Sequence, residues 1–449
     1  MASRPPNIVY VIAHDLGRTL GCYGEAVLTP QLDRFAAEGV RFDRAFCAAP
    51  ACSPARGCAY TGQYSHTNGL MGLVNGGWSL PIESKTFVDY LNGAGYHTVV
   101  SGLDHTRARR EDMRFKQYLT HAPRTAGAVD DAIGFLDTYE GDAPFLLNVG
   151  TVEVHSSQWL SQHPPANRFG PGASLRDYGR APDPGKAFLP SCMPDFPLVR
   201  AEMANMQACV EYFDFHIGRL LNAIDRLSYR ENTVVMVTTD HGIDGMRAKT
   251  SVYDKGTEIT CLVRGPGIAS GAVMGELVEN IDYLPTFLEL AGAEIPDSIQ
   301  GRSLLPLLSG ESAAWREMIF TERNYHGGNV EPRPDGASSN YDPIRSVRTQ
   351  DLHLIRNFQP GKWLPTPPDV RDVKPLGAWL PSMLPVPDQP RPELELYDLR
   401  TDPNEWHNVA EDPAYASERA RLLAALDQWM RDTDDPLLQG PIPDRLHGW

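Results

Sequence analysis

No stretch of the 449-residue chain approaches the roughly 20 consecutive apolar residues that a membrane-crossing helix needs, so no spanning segment is expected. Cysteine is sparse and irregular. The seven residues Cys22, Cys47, Cys52, Cys58, Cys192, Cys209 and Cys261 are odd in number and scattered, whereas a secreted disulfide framework is usually even and dense. A reducing compartment is expected. Positive charge is also in short supply: 41 basic residues against 57 acidic ones leave a net charge of -16, a field that repels nucleic acid and other long polyanions. An anionic partner should therefore be small or presented by one end. The opening MASRPPNIVYVIAHD reaches His14 and Asp15 too soon to hold the apolar core and cleavage site of a signal peptide. Together these absences predict a cytoplasmic protein with neither a nucleic-acid nor a membrane partner.

What is present is ordinary globular texture, 42% apolar and 22% charged, in a chain long enough for one large domain and a smaller one. Short β-branched runs bounded by turn residues recur: NIVYVIA, YHTVVSG, APFLLNVGT, NTVVMVTTD and ITCLVRG. Helical patterns fall between them, including TPQLDRFAAEG with Thr29 as N-cap and Pro30 first in the helix, and a long helix from about Leu198 to Leu227. The alternation predicts an α/β fold whose large, mostly parallel sheet is sandwiched by helices. From about residue 321 the texture changes, and a smaller α+β domain is expected over 321–449 after a catalytic domain over 1–320. It contains a proline-rich insertion at 360–392 that cannot be helix interior or central strand.

In an open α/β sheet ligands bind beyond the carboxyl ends of strands, which makes the residues after these runs candidates. NIVYVIA ends in His14-Asp15, YHTVVSG leads to His105, NVGTVEV leads to His155, and VVMVTTD ends in Asp240-His241 with Lys249 soon after. Any one of them alone reads equally as a helix cap or a solvent-facing group. Two acid-imidazole pairs at inner strand ends can also surround one divalent cation, and imidazole shifts the preference from hard ions toward Mn²⁺ or another transition metal.

CSPAR at Cys52 to Arg56, closed by Thr61-Gly62, resembles the Cys-x-Pro-x-Arg signature of the sulfatase family, whose cysteine a formylglycine-generating enzyme oxidises. Within that family the chain is most similar to the sulfamidases, through HTNGLMGLVNG, GRSLLPLL, PIRSVRTQDLHLIRNF, ELYDLRTDPNEWHNVAEDP and LDQWMRDTDDP. The resemblance implies the alkaline-phosphatase-like fold, and a hydrolase that cleaves a sulfamate or sulfate ester with a formylglycine and one divalent cation, Ca²⁺ or Mn²⁺. It makes Cys52 the nucleophile, Arg56 its charge partner, and His14, Asp15, Cys52, Asp240 and His241 the metal site. His105, His155 and Lys249 then serve proton transfer and sulfate binding.

Two positions depart from the family pattern. His14 stands where an aspartate is usual, which removes a negative charge and argues against Ca²⁺. Leu103, in GLDH, replaces the lysine of Gly-Lys-x-His, for which Arg107 is a candidate substitute. His66, Trp78, Arg323, His326 and His353 are further substrate-pocket candidates, with surface or interdomain packing as the alternative, while Asp402 reads as a turn residue and Cys58 as a buried helix residue. A phosphodiester or phosphonate monoester hydrolase on the same scaffold, and a non-catalytic metal-binding relative, are the competing readings. A homo-oligomer is compatible with the sequence.

Overall fold

A computed structural model of the protein describes residues 4–119, 124–155, 183–245, 247–311, 314–325, 341–361 and 390–443. The strands are β1 (Asn7–Ala13), β2 (Val40–Phe42), β3 (Ala45–Phe46), β4 (His97–Gly102), β5 (Gln117–Tyr118), β6 (Phe145–Gly150) and β7 (Thr233–Thr239). They continue as β8 (Cys261–Arg264), β9 (Ala272–Met274), β10 (Val278–Glu279), β11 (Ile319–Tyr325), β12 (Tyr341–Arg348), β13 (Leu352–Asn357) and β14 (Leu394–Asp398). Each of the five expected runs became a strand. The main sheet has the order β5-β4-β6-β1-β7-β8-β2-β9. β1 pairs in parallel with β6 and β7, and β4 with β5 and β6, while β8 runs antiparallel to β7 and β2. The carboxyl ends of β4, β6, β1 and β7 therefore share one edge.

Burial of both faces explains why these strands are apolar throughout. Along β1, Val9, Val11 and Ala13 enter one core with the helices Thr125–Thr138 and Pro197–Arg226, and Ile8, Tyr10 and Ile12 enter the other with Tyr60, Phe87 and Phe287. That is the period-two alternation of a strand. The Pro197–Arg226 helix lies one residue from its expected position. The helix Pro30–Ala37 also forms as expected, but Thr29 does not cap it through its side chain. Asp214 of the long helix accepts instead from the N–H groups of Gln31 (3.2 Å) and Leu32 (2.8 Å), a partner too distant in sequence to anticipate.

A second sheet, β11-β12-β13-β14, is antiparallel and carries the helix Ala416–Asp432, which buries Leu422, Leu426, Trp429 and Met430. Residues 362–389 of the proline-rich insertion lie outside the described residues. Among the described residues, no helix is long and apolar enough to cross a membrane.

Candidate active site

β1 and β7 are parallel neighbours in register, Ala13 opposite Thr239, so the residues that follow them emerge side by side. Asp15 adopts φ +56° and its N–H donates to Asp240 Oδ1 at 3.0 Å. His14 Nδ1 lies 2.7 Å from Asp15 Oδ1 and 3.2 Å from Asp240 Oδ2. His241 places Nε2 3.1 Å from Asp15 Oδ1 and 3.4 Å from Cys52 Sγ. Cys52 opens the fully buried helix Cys52–Thr61, and one ligand atom from each of His14, Asp15, Cys52, Asp240 and His241 lies within 4.8 Å of all the others.

These five residues fit a divalent cation. The Nδ1–H of His241 is engaged by the Gly242 carbonyl at 2.9 Å, which directs the Nε2 lone pair toward a carboxylate oxygen and the sulfur. Such a lone pair is repelled by Asp15 unless a cation lies between them. Two fixed cations close the cluster. Lys249 donates from Nζ to Asp15 Oδ2 at 2.7 Å, and Arg56 from Nε to Asp240 Oδ2 at 3.1 Å. The remaining Arg56 nitrogens hold the carbonyls of Asp104 (3.4 Å) and Ala13 (3.3 Å), which fixes the side chain to the ends of β4 and β1.

His155 and His105 stand around this group. The His155 ring is 4.5 Å from that of His14 and its Nε2 is 4.0 Å from Asp15 Oδ2. The His105 ring is 6.2 Å from that of His14. β4 and β6 approach so closely here that a Cβ on Gly150 would lie 1.7 Å from the Leu103 carbonyl oxygen. The Leu103 N–H is bonded to the Gly150 carbonyl at 2.9 Å, which sets the loop that carries His105.

Burial alone would raise the carboxyl of Asp15, but Lys249, His155, His14 and His241 outweigh it and hold Asp15 well below the usual range. His14, His241 and Arg56 do the same for Asp240. Burial lowers His14 to about 4 against the pull of both carboxylates. Burial also pushes the Cys52 thiol well up, despite Lys249 and Arg56. An unmodified Cys52 is thus a protonated thiol and a weak nucleophile at neutral pH.

The remaining candidates fall elsewhere. Arg107 is no substitute for a lysine at position 103, because its guanidinium is spent on the carbonyls of Asp112 (2.5 Å) and Ser84 (2.7 Å). His66 is a strut that ties its own short helix, Ser65–Asn68, to the second sheet and the helix on it: Nδ1 meets Glu322 at 2.9 Å and Nε2 meets the Thr433 carbonyl at 3.2 Å. Trp78 is buried 5.0 Å from Tyr325. Arg323 pairs with Asp342 and lines a small cavity with Ala51, Pro54 and Thr250 beside the helix Cys52–Thr61. His326 lies outside the described residues. His353 meets Glu405 at 2.5 Å, and Asp402 accepts from the His407 N–H at 2.7 Å as a turn residue does. Cys58 is buried in an apolar cluster.

Asp254, His353 and Glu405 also form a buried group of potential ligands. Both Asp254 oxygens are taken by Arg348 at 2.9 Å, and Glu405 Oε2 by the Asp254 N–H at 2.7 Å, so this is an ion-pair network. Two residues near the chemistry escaped the sequence reading. Asn75 contacts His105, and Ser53 anchors the turn that carries Asn75. The only available signal was the adjacency of Ser53 to Cys52 and the glycine-rich VNGG.

A family model described as Sulfatase matches residues 6–293, and one described as N-sulphoglucosamine sulphohydrolase, C-terminal, matches residues 242–363. The chain is 26% identical over 451 residues to an ulvan-active sulfatase of Formosa agariphila, covering 98% of this chain and 83% of that protein. It is 28% identical over 487 residues to the N-sulphoglucosamine sulphohydrolase of Homo sapiens, covering 98% and 92%. A protein solved with its substrate D-glucosamine-2-N,6-O-disulfate superposes with a TM-score of 0.69 at 21% identity, over 96% of this chain and 99% of that one. The phosphonate monoester hydrolase of Agrobacterium radiobacter gives 0.71 at 20% identity, over 95% and 96%. At these identities the two structures speak to the fold.

Proposed function

The chain belongs to the sulfatase family, and from that premise we propose that it hydrolyses the S–N bond of a sulfamate or the S–O bond of a sulfate ester. The substrate is small or presented at a chain end. A formylglycine made from Cys52 and one divalent cation serve the reaction. The observation that carries this reading is the position of Cys52 Sγ, 3.4 Å from His241 Nε2 inside a cluster whose two carboxylates are each paired to a cation.

His14, Asp15, Asp240 and His241 would hold the metal, together with residue 52. A bound cation would supply Lewis acidity at this point. A formylglycine at position 52 would, once hydrated, supply two hydroxyls, one for attack on sulfur and one for release of sulfate, an exit that cysteine or serine lacks. Arg56 and Lys249 would neutralise charge as it develops on the sulfo oxygens. His155, 24% exposed, would give the leaving nitrogen or oxygen its proton. His105 would accept the proton of residue 52 as sulfate is released.

Two carboxylates, one lysine and one arginine sum to zero before the cation binds, one unit more positive than with an aspartate at position 14. Together with two imidazoles, that balance favours Mn²⁺ or a similar ion over Ca²⁺. The same proposal includes domains over 1–320 and 321–449, a cytoplasmic location, and a formylglycine-generating enzyme as partner.

The negative charge missing at position 14, the two imidazoles and the fold shared with a phosphonate monoester hydrolase favour one second reading, a phosphonate or phosphodiester hydrolase. Parallel assays on an aryl sulfate, N-sulfoglucosamine and an aryl phosphonate separate the two. A sulfo substrate should be turned over fastest. A phosphonate rate well above both would overturn the choice, and no turnover of any of the three would favour a non-catalytic relative.

A further inference from the structure

Among the described residues, the hydrogen bond that reaches the His105 ring comes from Asn75, whose Oδ1 lies 3.3 Å from Nε2. The other nitrogen, Nδ1, is buried and has no hydrogen-bond partner among the described residues. His105 is itself held in the left-handed region at φ +70°, so the backbone as well as the ring is set by its surroundings.

Asn75 sits on a turn that is fixed from two sides. The Leu73 carbonyl accepts from the N–H groups of Gly76 (2.9 Å) and Trp78 (3.2 Å), and the Val74 carbonyl from Gly77 (3.0 Å). Gly77 closes the turn at φ +89°, where a side chain would be strained. On one side, the Val74 N–H donates to Ser53 Oγ at 3.0 Å, so the residue next to Cys52 pins the turn. On the other, Trp78 is wedged against Gly72, where a Cβ would lie 2.4 Å from the indole, and against Tyr325 of β11. This is the work of the buried Trp78.

With the Asn75 amide oxygen turned toward it, Nε2 is the ring nitrogen that donates, and Nδ1 keeps its lone pair. Burial, with His14 and Arg56 nearby, pushes His105 down to about 3, which leaves the ring neutral at physiological pH. We propose that Asn75 is a positioning residue that fixes the tautomer of His105, so that Nδ1 is the proton acceptor serving residue 52. This inference rests on the proposed role of His105. In that step Nδ1 takes the proton of the free hydroxyl on residue 52, the O–H pair becomes the second bond of the carbonyl, and the C–O bond breaks with its electrons leaving on sulfate. No further reactant is needed.

The test has two readouts. In full-length protein labelled with ¹⁵N-histidine and with Cys52 unconverted, two-bond ¹H–¹⁵N correlation spectra report the tautomer, His105 being assigned by its loss in His105→Gln. Wild type should show the Nε2–H form. Asn75→Ala should show a mixture, and Asn75→Asp, which can only accept, should restore Nε2–H. An Nδ1–H tautomer in wild type, or an unchanged spectrum in Asn75→Ala, overturns the proposal.

The second readout uses converted enzyme and an aryl sulfate. Asn75→Ala should give a burst of aryl alcohol near the wild-type rate, followed by a steady state about 10-fold or more slower, with Asn75→Asp restoring the balance. Equal loss in both phases would make Asn75 merely structural. Should wild type turn over no sulfo substrate, the proposed function fails while the tautomer spectra still decide the role of Asn75.

Discussion

Lys249 Nζ and Asp15 Oδ2 form a buried ion pair at 2.7 Å, and Asp15 is at the same time a member of the five-residue ligand cluster. Removing the lysine leaves a buried carboxylate with imidazoles alone, a loss on the order of 3–5 kcal/mol when one partner of a buried pair is deleted. A bound divalent cation would compensate. Lys249→Ala should therefore lower the melting temperature more in EDTA than in Mn²⁺, and should cut kcat/KM by about 10²–10³. Equal destabilisation under both conditions would show that no cation binds at Asp15.

His14 should set which metal binds. Mn²⁺ should raise the melting temperature of wild type more than Ca²⁺ at equal concentration, the shift following the ratio of ion concentration to Kd. His14→Asp should narrow or reverse that order. Metal analysis of purified protein provides an independent check, and Ca²⁺ as the tighter ligand of wild type would contradict the charge argument.

Much of this site was legible because the chemistry follows strands whose sequence announces them. The apolar runs ending at Ala13 and Thr239 need burial on both faces, and the polar residues that follow must emerge at the shared edge. Direction of use was harder to read. His66 follows the signature and Arg107 follows His105, but their partners are Glu322, Thr433, Asp112 and Ser84, and only folding brings Glu322 and Thr433 close. Asn75 was invisible for a related reason, since a glycine-rich turn reads as loop until Ser53 and Trp78 are seen to hold it.

The strut role of His66 separates stability from binding. Glu322 receives Ser65 Oγ and the His66 N–H on one oxygen, at 2.8 Å each, and the His66 ring at 2.9 Å on the other. His66→Ala should cost about 1–3 kcal/mol in urea unfolding, the range for a buried acceptor that loses its donor. KM should stay unchanged, because the ring nitrogens face Glu322 and Thr433. A large rise in KM with unaltered stability would return His66 to the substrate pocket.

Acid sensitivity should begin with histidine. His14 and His105 are lowered from 6.5 to about 4 and about 3, mainly by burial. A depressed histidine contributes stability that is present above its unfolded value and is lost as pH falls toward the folded one. In EDTA the melting temperature should drop between pH 6.5 and 4, before Asp15 and Asp240, both held below 3.8, take up protons. His105→Asn should flatten that slope, and an unchanged slope would refute the assignment.

The proposed chemistry turns on residue 52 itself. Protein co-expressed with a formylglycine-generating enzyme can be digested with trypsin and the peptide Ala45–Arg56 weighed, with Cys47 in the same peptide as an internal thiol control. One aldehyde is expected, at position 52, with Cys47 unchanged, in protein that hydrolyses a sulfo substrate. A peptide that retains both thiols, in protein without hydrolase activity, would contradict that chemistry.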